Sequence, residues 1–219
     1  LGLSFHVDRF DTYHGFKLIT GVIGPWSLAA ETQHEIHSHG TSPQAQGWEY
    51  QLKNELILNL AYEYRHKFQL AGRENSWAIE TLPLAAGWMG NLLTQGQVGG
   101  ILRMGYNLPK DFGPTILRSM NSLSPPNRDK SLKGTRDWGF SVYCLVLANL
   151  VLRDITLDGN SFQSGPRVEK KFFVPVTGIG LTIGNRHLQT SFSYILWGKE
   201  FKGQPDCSKF GAIILSYVF

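Results

Sequence analysis

The feature that most constrains this chain is a strict alternation of apolar and polar side chains over long segments. In residues 51–65 one face carries leucines and tyrosines, and the other carries charged and amide side chains. The apolar set is Leu52, Leu56, Leu58, Leu60, Tyr62 and Tyr64, and the polar set is Lys53, Glu55, Asn59, Glu63 and Arg65. A period of two is the signature of a β-strand whose two faces meet different surroundings. The pattern therefore predicts an all-β chain.

The length of the alternating segments favours strands that cross a membrane. Residues 97–106, 187–197 and 209–219 alternate in the same way, and segments of roughly ten residues are typical of membrane-spanning strands. A soluble β-sandwich also alternates, but its strands are usually shorter. The chain has 24 glycines and only 17% charged residues, and it has no apolar run of about 18 residues, the minimum for a membrane-spanning helix. We therefore expect one antiparallel transmembrane β-barrel domain over residues 1–219.

Turn signals divide the chain into about nine strands. We predict strands at 2–8, 15–24, 51–67, 76–88, 95–107, 138–152, 173–184, 186–199 and 209–219. Outer-membrane barrels have short periplasmic turns and long extracellular loops. Counting back from the last strand, we expect the loops 25–50, 89–94, 153–172 and 200–208 outside the cell. The same count assigns the long segment 108–136 to the periplasm.

The alternation also predicts which side chains face lipid and which face the barrel lumen. We expect the lipid-facing set to include Leu58, Leu60, Leu102, Leu188, Phe192 and Leu215. Inward-facing Lys53, Glu55, Glu63, Arg65 and Arg103 are expected to fill the lumen as a charge network, or to hold phosphates or a loop helix in place. An odd number of strands cannot close a single-chain bacterial barrel. We therefore expect Phe219 to be the natural end of the barrel and further strands to precede Leu1.

Other functional classes receive little support. Lys and Arg are scattered over a chain of net charge +4, without the basic stripe that nucleic-acid binding requires. Cys144 and Cys207 lie far apart and match no metal-site spacing. Gly178 and Gly180 lie within a predicted strand, so we expect them to be small inward-facing residues rather than a cofactor loop.

The loop 25–50 carries the strongest chemical signal. Its segment 27–38 predicts a short helix, with Leu28, Thr32 and Ile36 at four-residue spacing. On this helix Gln33 and His37 lie one turn apart on the same face. An amide and an imidazole so placed can position a water molecule and accept its proton. The alternative is that the loop histidines are solvated or form an adventitious metal site.

Several longer motifs follow one another along the chain. They are 21–25, Thr32-Gln33 with His37, 47–55, 102–109, 111–114, 157–162, 168–171 and 200–204. In order and spacing they resemble the lipid A 3′-O-deacylase family over essentially all of residues 1–219. The resemblance implies an outer-membrane barrel of about twelve strands in a Gram-negative bacterium. Its active site would lie on the outer side, between the barrel wall and a short helical loop.

The resemblance also implies a reaction, the calcium-dependent hydrolysis of the ester at the 3′ position of lipid A. By position, His37 is the expected general base, and Gln33 is expected to orient or stabilise groups around it. Calcium would polarise the ester carbonyl. Gln44 stands where the family has a metal-binding glutamate, and a neutral amide supplies less charge to the ion. Glu49 is the alternative ligand, and the remaining ligands are expected before Leu1.

The departure at Gln44 leaves two functions open. The first is a lipid A deacylase, whose partners would be lipopolysaccharide and the outer-membrane bilayer. The second is a family member that has lost catalysis and serves as a structural barrel within an assembly of outer-membrane proteins.

Overall fold

The computed structural model describes residues 1–39, 47–73, 76–109, 111–113, 138–185 and 187–217. Within these residues, ten strands form one antiparallel sheet. They are β1 (Gly2–Arg9), β2 (Thr12–Ile23), β3 (Glu55–His66), β4 (Phe68–Gly72), β5 (Trp77–Gly90), β6 (Leu93–Tyr106), β7 (Gly139–Asp154), β8 (Phe173–Gly184), β9 (Leu188–Trp197) and β10 (Ser208–Tyr217). The helices in the described ranges are all too short and too polar to cross a membrane.

The ten strands make nine crossings of the sheet, because β3 and β4 are two parts of one crossing. Both pair with β5, and the strand order is β1-β2-β3-β5-β6-β7-β8-β9-β10. This crossing is interrupted at Lys67, whose backbone amide donates a 2.7 Å hydrogen bond to the carbonyl of Asp11. The predicted number of strands is confirmed. The predicted end of the third strand at residue 67 agrees with β3 to within one residue, but the continuation as β4 was not predicted.

Several other predicted boundaries differ from the structure by two residues or more. The second strand begins at Thr12 rather than 15, because Phe10 adopts a left-handed φ of 50° that allows a two-residue turn. Residues 51–54 lie outside β3, since Lys53 bonds the side chain of Asn160 instead of a neighbouring strand. The loop expected at 89–94 shortens to Asn91 and Leu92.

The two faces of the sheet divide as the alternation predicted. Leu58 is 61% exposed and Leu215 is 69% exposed on the convex face, where Leu60, Leu102 and Phe192 are exposed as well. Leu188 is half-buried. The concave face buries Glu55, Glu63 and Arg103, the last with only 1% of its surface exposed. The convex face is thus the lipid-facing side and the concave face is the lumen.

Glycines on the concave face make room for tyrosine rings. A Cβ atom on Gly15 would lie 2.6 Å from the hydroxyl oxygen of Tyr13, a fully buried residue that is hydrogen-bonded to His6 at 2.8 Å. The ring of Tyr143 lies in the same way over Gly180. A side chain at either glycine would expel the ring, which confirms the expectation that Gly180 is a small inward-facing residue.

The connections separate onto two edges of the sheet. Strands β1, β4, β6 and β8 end at one edge, which we call the turn edge. Strands β2, β5, β7 and β9 end at the opposite edge, which we call the long-loop edge. The strand ends therefore group as the strand count predicted. Residues 110 and 114–137 of the long segment lie outside the described residues. Among the described residues, β1 pairs with β2 and β10 with β9, so the additional strands expected beside them remain a prediction.

A short segment from the turn edge enters the lumen. It comprises Asp111, Phe112 and Gly113, all buried, and we call it the lumen segment. Arg103 donates to the Asp111 carboxylate at 2.5 Å, and Arg65 donates to the carbonyl of Phe112 at 2.6 Å. From the far side of the sheet, Gln189 donates to Asp111 at 3.1 Å. The sequence indicated only a periplasmic loop here.

The lumen segment completes a buried charge network. Arg103 pairs with Glu80 on β5 as well as with Asp111. Burial alone would raise the pKa of the Asp111 carboxyl, but the Arg103 guanidinium, the Gly113 amide and Gln189 together hold it below its usual range. The acid is therefore ionised and paired, which fastens the segment to the wall.

Candidate active site at the long-loop edge

The helix that carries the predicted catalytic pair follows β2. A 3₁₀ turn spans Pro25–Ser27, and the α-helix α1 spans Ala29–Ser38. Leu28 separates them with a left-handed φ of 53°, so the helix begins two residues later than predicted. The hydroxyl of Thr32 donates to the carbonyl of Leu28 at 2.7 Å and closes the first turn. The predicted helix in this loop is confirmed.

One face of α1 is partly shielded from solvent. Ala30, Gln33 and His37 are half-buried, and every other residue of the helix is exposed. Their spacing of three and four residues places them in one row. Gln33 and His37 are one turn apart, with about 5–6 Å between Cβ atoms. The structure thus brings together the two side chains that sequence spacing selected.

Of the two predicted metal ligands, the structure describes only Glu49. Glu49 lies in a second 3₁₀ turn, Trp48–Tyr50, and its side chain is exposed. Gln44 lies outside the described residues. Within the described ranges no three His, Cys, Asp or Glu side chains come close enough to hold a metal ion. These residues alone therefore do not make a calcium site.

The base of α1 rests on the residues just before β3. A Cβ atom at Gly24, which has a φ of 86°, would lie 2.6 Å from the carbonyl carbon of Lys53, so only glycine permits this approach. The amide of Trp26 donates to the side-chain oxygen of Asn54 at 2.7 Å. Asn54 therefore ties the start of the helical loop to the barrel wall.

Glu55, beside Asn54, is the centre of a hydrogen-bond cluster. Its two carboxylate oxygens accept from Asn91 at 2.9 Å, from Asn160 at 3.1 Å and from the amide of Ser161 at 2.7 Å. The sequence predicted that Glu55 belongs to a charge network or holds a phosphate or the helix, but it gave no sign of these donors. They come from two other loops, and the separations of 36 and 105 residues leave no local pattern.

The loop after β7 is itself fixed by charged groups. Arg153 donates to the carbonyl of Gly159 at 3.0 Å and to the hydroxyl of Ser161 at 2.8 Å. Asp154 caps the short helix Ile155–Asp158 by accepting from the amide of Thr156. Lys170 pairs with Asp158 at 2.7 Å. The partners of Glu55 are therefore held in place from their own side.

Comparison with known proteins identifies the family. A family model described as outer membrane protein LpxR matches residues 1–219. LpxR from Salmonella typhimurium is similar in structure, with a TM-score of 0.82 at 18% sequence identity, over 100% of this chain and 71% of that chain. A search of curated proteins found no match. The structural likeness shows the shared fold, and the family model spans the whole chain. This chain therefore belongs to the LpxR family of outer-membrane proteins, the lipid A 3′-O-deacylases.

Proposed function

We propose that this outer-membrane protein hydrolyses the 3′-linked acyl or acyloxyacyl ester of lipid A, with His37 as the general base. The observation that supports this most directly is the orientation of α1. Its half-buried face carries Gln33 and His37 together, at the long-loop edge of the barrel. Because the long loops of outer-membrane barrels are extracellular and lipopolysaccharide forms the outer leaflet, the ester and the imidazole would share one side of the membrane.

The proposed reaction needs one proton transfer in each direction. His37 accepts a proton from water, and the oxygen of that water attacks the ester carbonyl carbon. The bond between the carbonyl carbon and the 3′ oxygen of the sugar then breaks, and the proton returns to that oxygen. The products are a sugar hydroxyl and a free fatty acid. Gln33, one turn before His37, is placed to accept or donate a hydrogen bond to the attacking water.

Calcium enters this proposal through the family resemblance alone. Glu49 is the one predicted ligand within the described ranges, and no three His, Cys, Asp or Glu side chains there form a group that could hold a metal ion. Calcium, when bound, would polarise the ester carbonyl, and the proton transfers belong to His37.

The test is the replacement of His37. In the protein inserted in a Gram-negative outer membrane, His37→Ala should lower release of 3′-linked acyl groups by about 10²–10⁴-fold, the usual contribution of a general base. His34→Ala is the matched control, because His34 lies on the same helix but is exposed. Mass spectrometry of extracted lipid A gives the readout.

Two results would contradict the deacylase proposal. If the wild-type protein leaves lipid A unchanged at millimolar calcium, or if His37→Ala matches the wild type, the deacylase proposal fails. The neutral amide of Gln44 would then favour the alternative, a barrel with a structural or interaction role among outer-membrane proteins.

A further inference from the structure

The Glu55 carboxylate is buried without a cation. It is 5% exposed, and no lysine, arginine or histidine in the described ranges forms an ion pair with it. Three neutral N–H donors hold it instead, one on Oε1 and two on Oε2. Burying a charge is costly unless it is fully hydrogen-bonded. A carboxylate is therefore needed here for its capacity to accept on both oxygens.

The donors cannot adapt to an amide. Ser161 donates through its backbone, which cannot reverse. Asn91 also accepts from the amide of Leu58 at 2.9 Å and donates to the carbonyl of Leu56 at 2.6 Å, so a flip of its side chain would lose both bonds. The NH₂ group of a glutamine at position 55 would face an N–H donor in either orientation.

The cluster extends from Glu55 to the base of α1 in two steps. Asn160 pairs with the backbone of Lys53 in both directions, donating at 2.8 Å and accepting at 2.9 Å. The next residue, Asn54, accepts from Trp26 at 2.7 Å, and its carbonyl accepts from Gln163 at 3.2 Å. Residues 53–55 thus join the loop after β7 to the loop that carries the helix. We call Asn54, Glu55, Asn160 and Ser161 the rim clamp.

We propose that Glu55 is a positioning residue of the deacylase site, which acts through the rim clamp to fix α1 and therefore His37. This inference rests on the proposed function, although its structural half stands separately. The carboxylate aligns the residues 53–54 on which the helical loop rests, and it touches no reacting atom.

The structural half is tested by a distance measurement. Spin labels are placed at Ile36→Cys and Phe162→Cys, both highly exposed, with Cys144 and Cys207 replaced by serine. Pulsed electron paramagnetic resonance then gives the spread of distances between α1 and the loop after β7. Glu55→Gln should broaden this distribution. Glu169→Gln is the matched control, because Glu169 lies on the same loop in an exposed ion pair with Lys202.

The kinetic half is tested on the same variants without labels. A displaced base lowers the turnover number and leaves KM nearly unchanged. A misplacement of about 1 Å can cost on the order of 10²-fold, so we expect a 10- to 100-fold loss of kcat for Glu55→Gln. Asn54→Ala, which removes only the bond to Trp26, should act in the same direction. If Glu55→Gln does not fold, Asn54→Ala alone tests whether the rim clamp positions His37.

The outcomes separate the two proposals. A narrow, wild-type distance distribution in Glu55→Gln and Asn54→Ala overturns the positioning role, whatever the activity. A broadened distribution with unchanged kcat overturns its link to catalysis. If the wild-type protein releases no acyl groups, the proposed function fails, and the distance measurement still judges the clamp.

Discussion

Replacing Arg103 by methionine should be among the most damaging changes in the barrel. Arg103 is 1% exposed and pairs with Glu80 on β5 and with Asp111 in the lumen segment. It also donates to the carbonyl of Pro109 at 3.0 Å. Methionine fills a similar volume but donates no hydrogen bond, so the change leaves two buried carboxylates facing each other.

The size of the loss follows from this geometry. Removing one partner of a buried ion pair costs about 3–5 kcal/mol, because the other charge is left uncompensated. Two carboxylates lose a partner here, so we expect a value at the upper end. The control is Lys202→Met, which breaks an exposed pair with Glu169 and should cost about 0–1 kcal/mol.

The change of the unfolding free energy with pH should have opposite signs in the wild type and in Arg103→Met. In the wild type, Arg103 outweighs burial and holds the pKa of Asp111 below its usual range. The stabilisation from Asp111 is therefore complete above about pH 4 and is lost as the pH falls below that value. In Arg103→Met, only the hydrogen bonds from the Gly113 amide and Gln189 still oppose the effect of burial, so the pKa of Asp111 should rise. Acidification then neutralises the buried charge, so this variant should gain stability relative to wild type.

The assay is urea unfolding of the protein in phospholipid vesicles, followed by tryptophan fluorescence at pH 7 and at decreasing pH. The triple variant Arg103→Met/Glu80→Gln/Asp111→Asn should recover part of the loss, because none of the three charges of this cluster remains. A cost below 1 kcal/mol for Arg103→Met at pH 7, or the same pH slope as wild type, would refute this account of the network.

Three further predictions concern the membrane and the metal. Leu60 lies near the middle of the twelve residues of β3 and is exposed on the convex face. Leu60→Arg should therefore lower the free energy of unfolding by about 2–4 kcal/mol in the same assay. Leu1 and Thr20 exchange both backbone hydrogen bonds, so the amides of Ser4 and His6 point away from β2. Because a bare amide in lipid costs several kcal/mol, these two should pair with a further strand and exchange hydrogen slowly in bilayers; fast exchange would contradict this. Calcium chelation should abolish acyl release, and Gln44→Glu should lower the calcium concentration that restores it; an unaltered requirement would exclude position 44 as a ligand.

The sequence predicted the wall of the barrel because alternation is a local property imposed by two different surroundings. Residues Glu55–His66 alternate buried and exposed positions as their side chains do. The continuation Phe68–Gly72 was missed, since its five residues are exposed on both faces and carry no such contrast. Strand ends and broken strands depend on the neighbouring strand, which local pattern does not describe.

In the candidate site, too, the residues related by local spacing were predicted and those related by distant contacts were not. Gln33 and His37 were found from spacing, because a helix converts a four-residue interval into a shared face. Asn91 and Asn160 were not found, because their partner Glu55 is distant in the chain and asparagine is common in loops. The lumen segment was missed for a similar reason. Its aspartate becomes significant only when β6 and β9 present Arg103 and Gln189 to it.

The lumen segment has a further consequence for the shape of the sheet. Phe112 lies 5.7 Å from the ring of Tyr13 on β2, and Asp111 accepts from Gln189 on β9. Along the wall these two strands are separated by β3, β5, β6, β7 and β8. Three residues therefore form a chord across an arc of seven strands. A curved sheet can flatten by small changes of twist at each pair of strands. The contacts of the lumen segment with β2 and β9 fix the distance between these two strands and so oppose this flattening. The curvature of this barrel at the turn edge is thus set from within the lumen, by a segment that belongs to no strand.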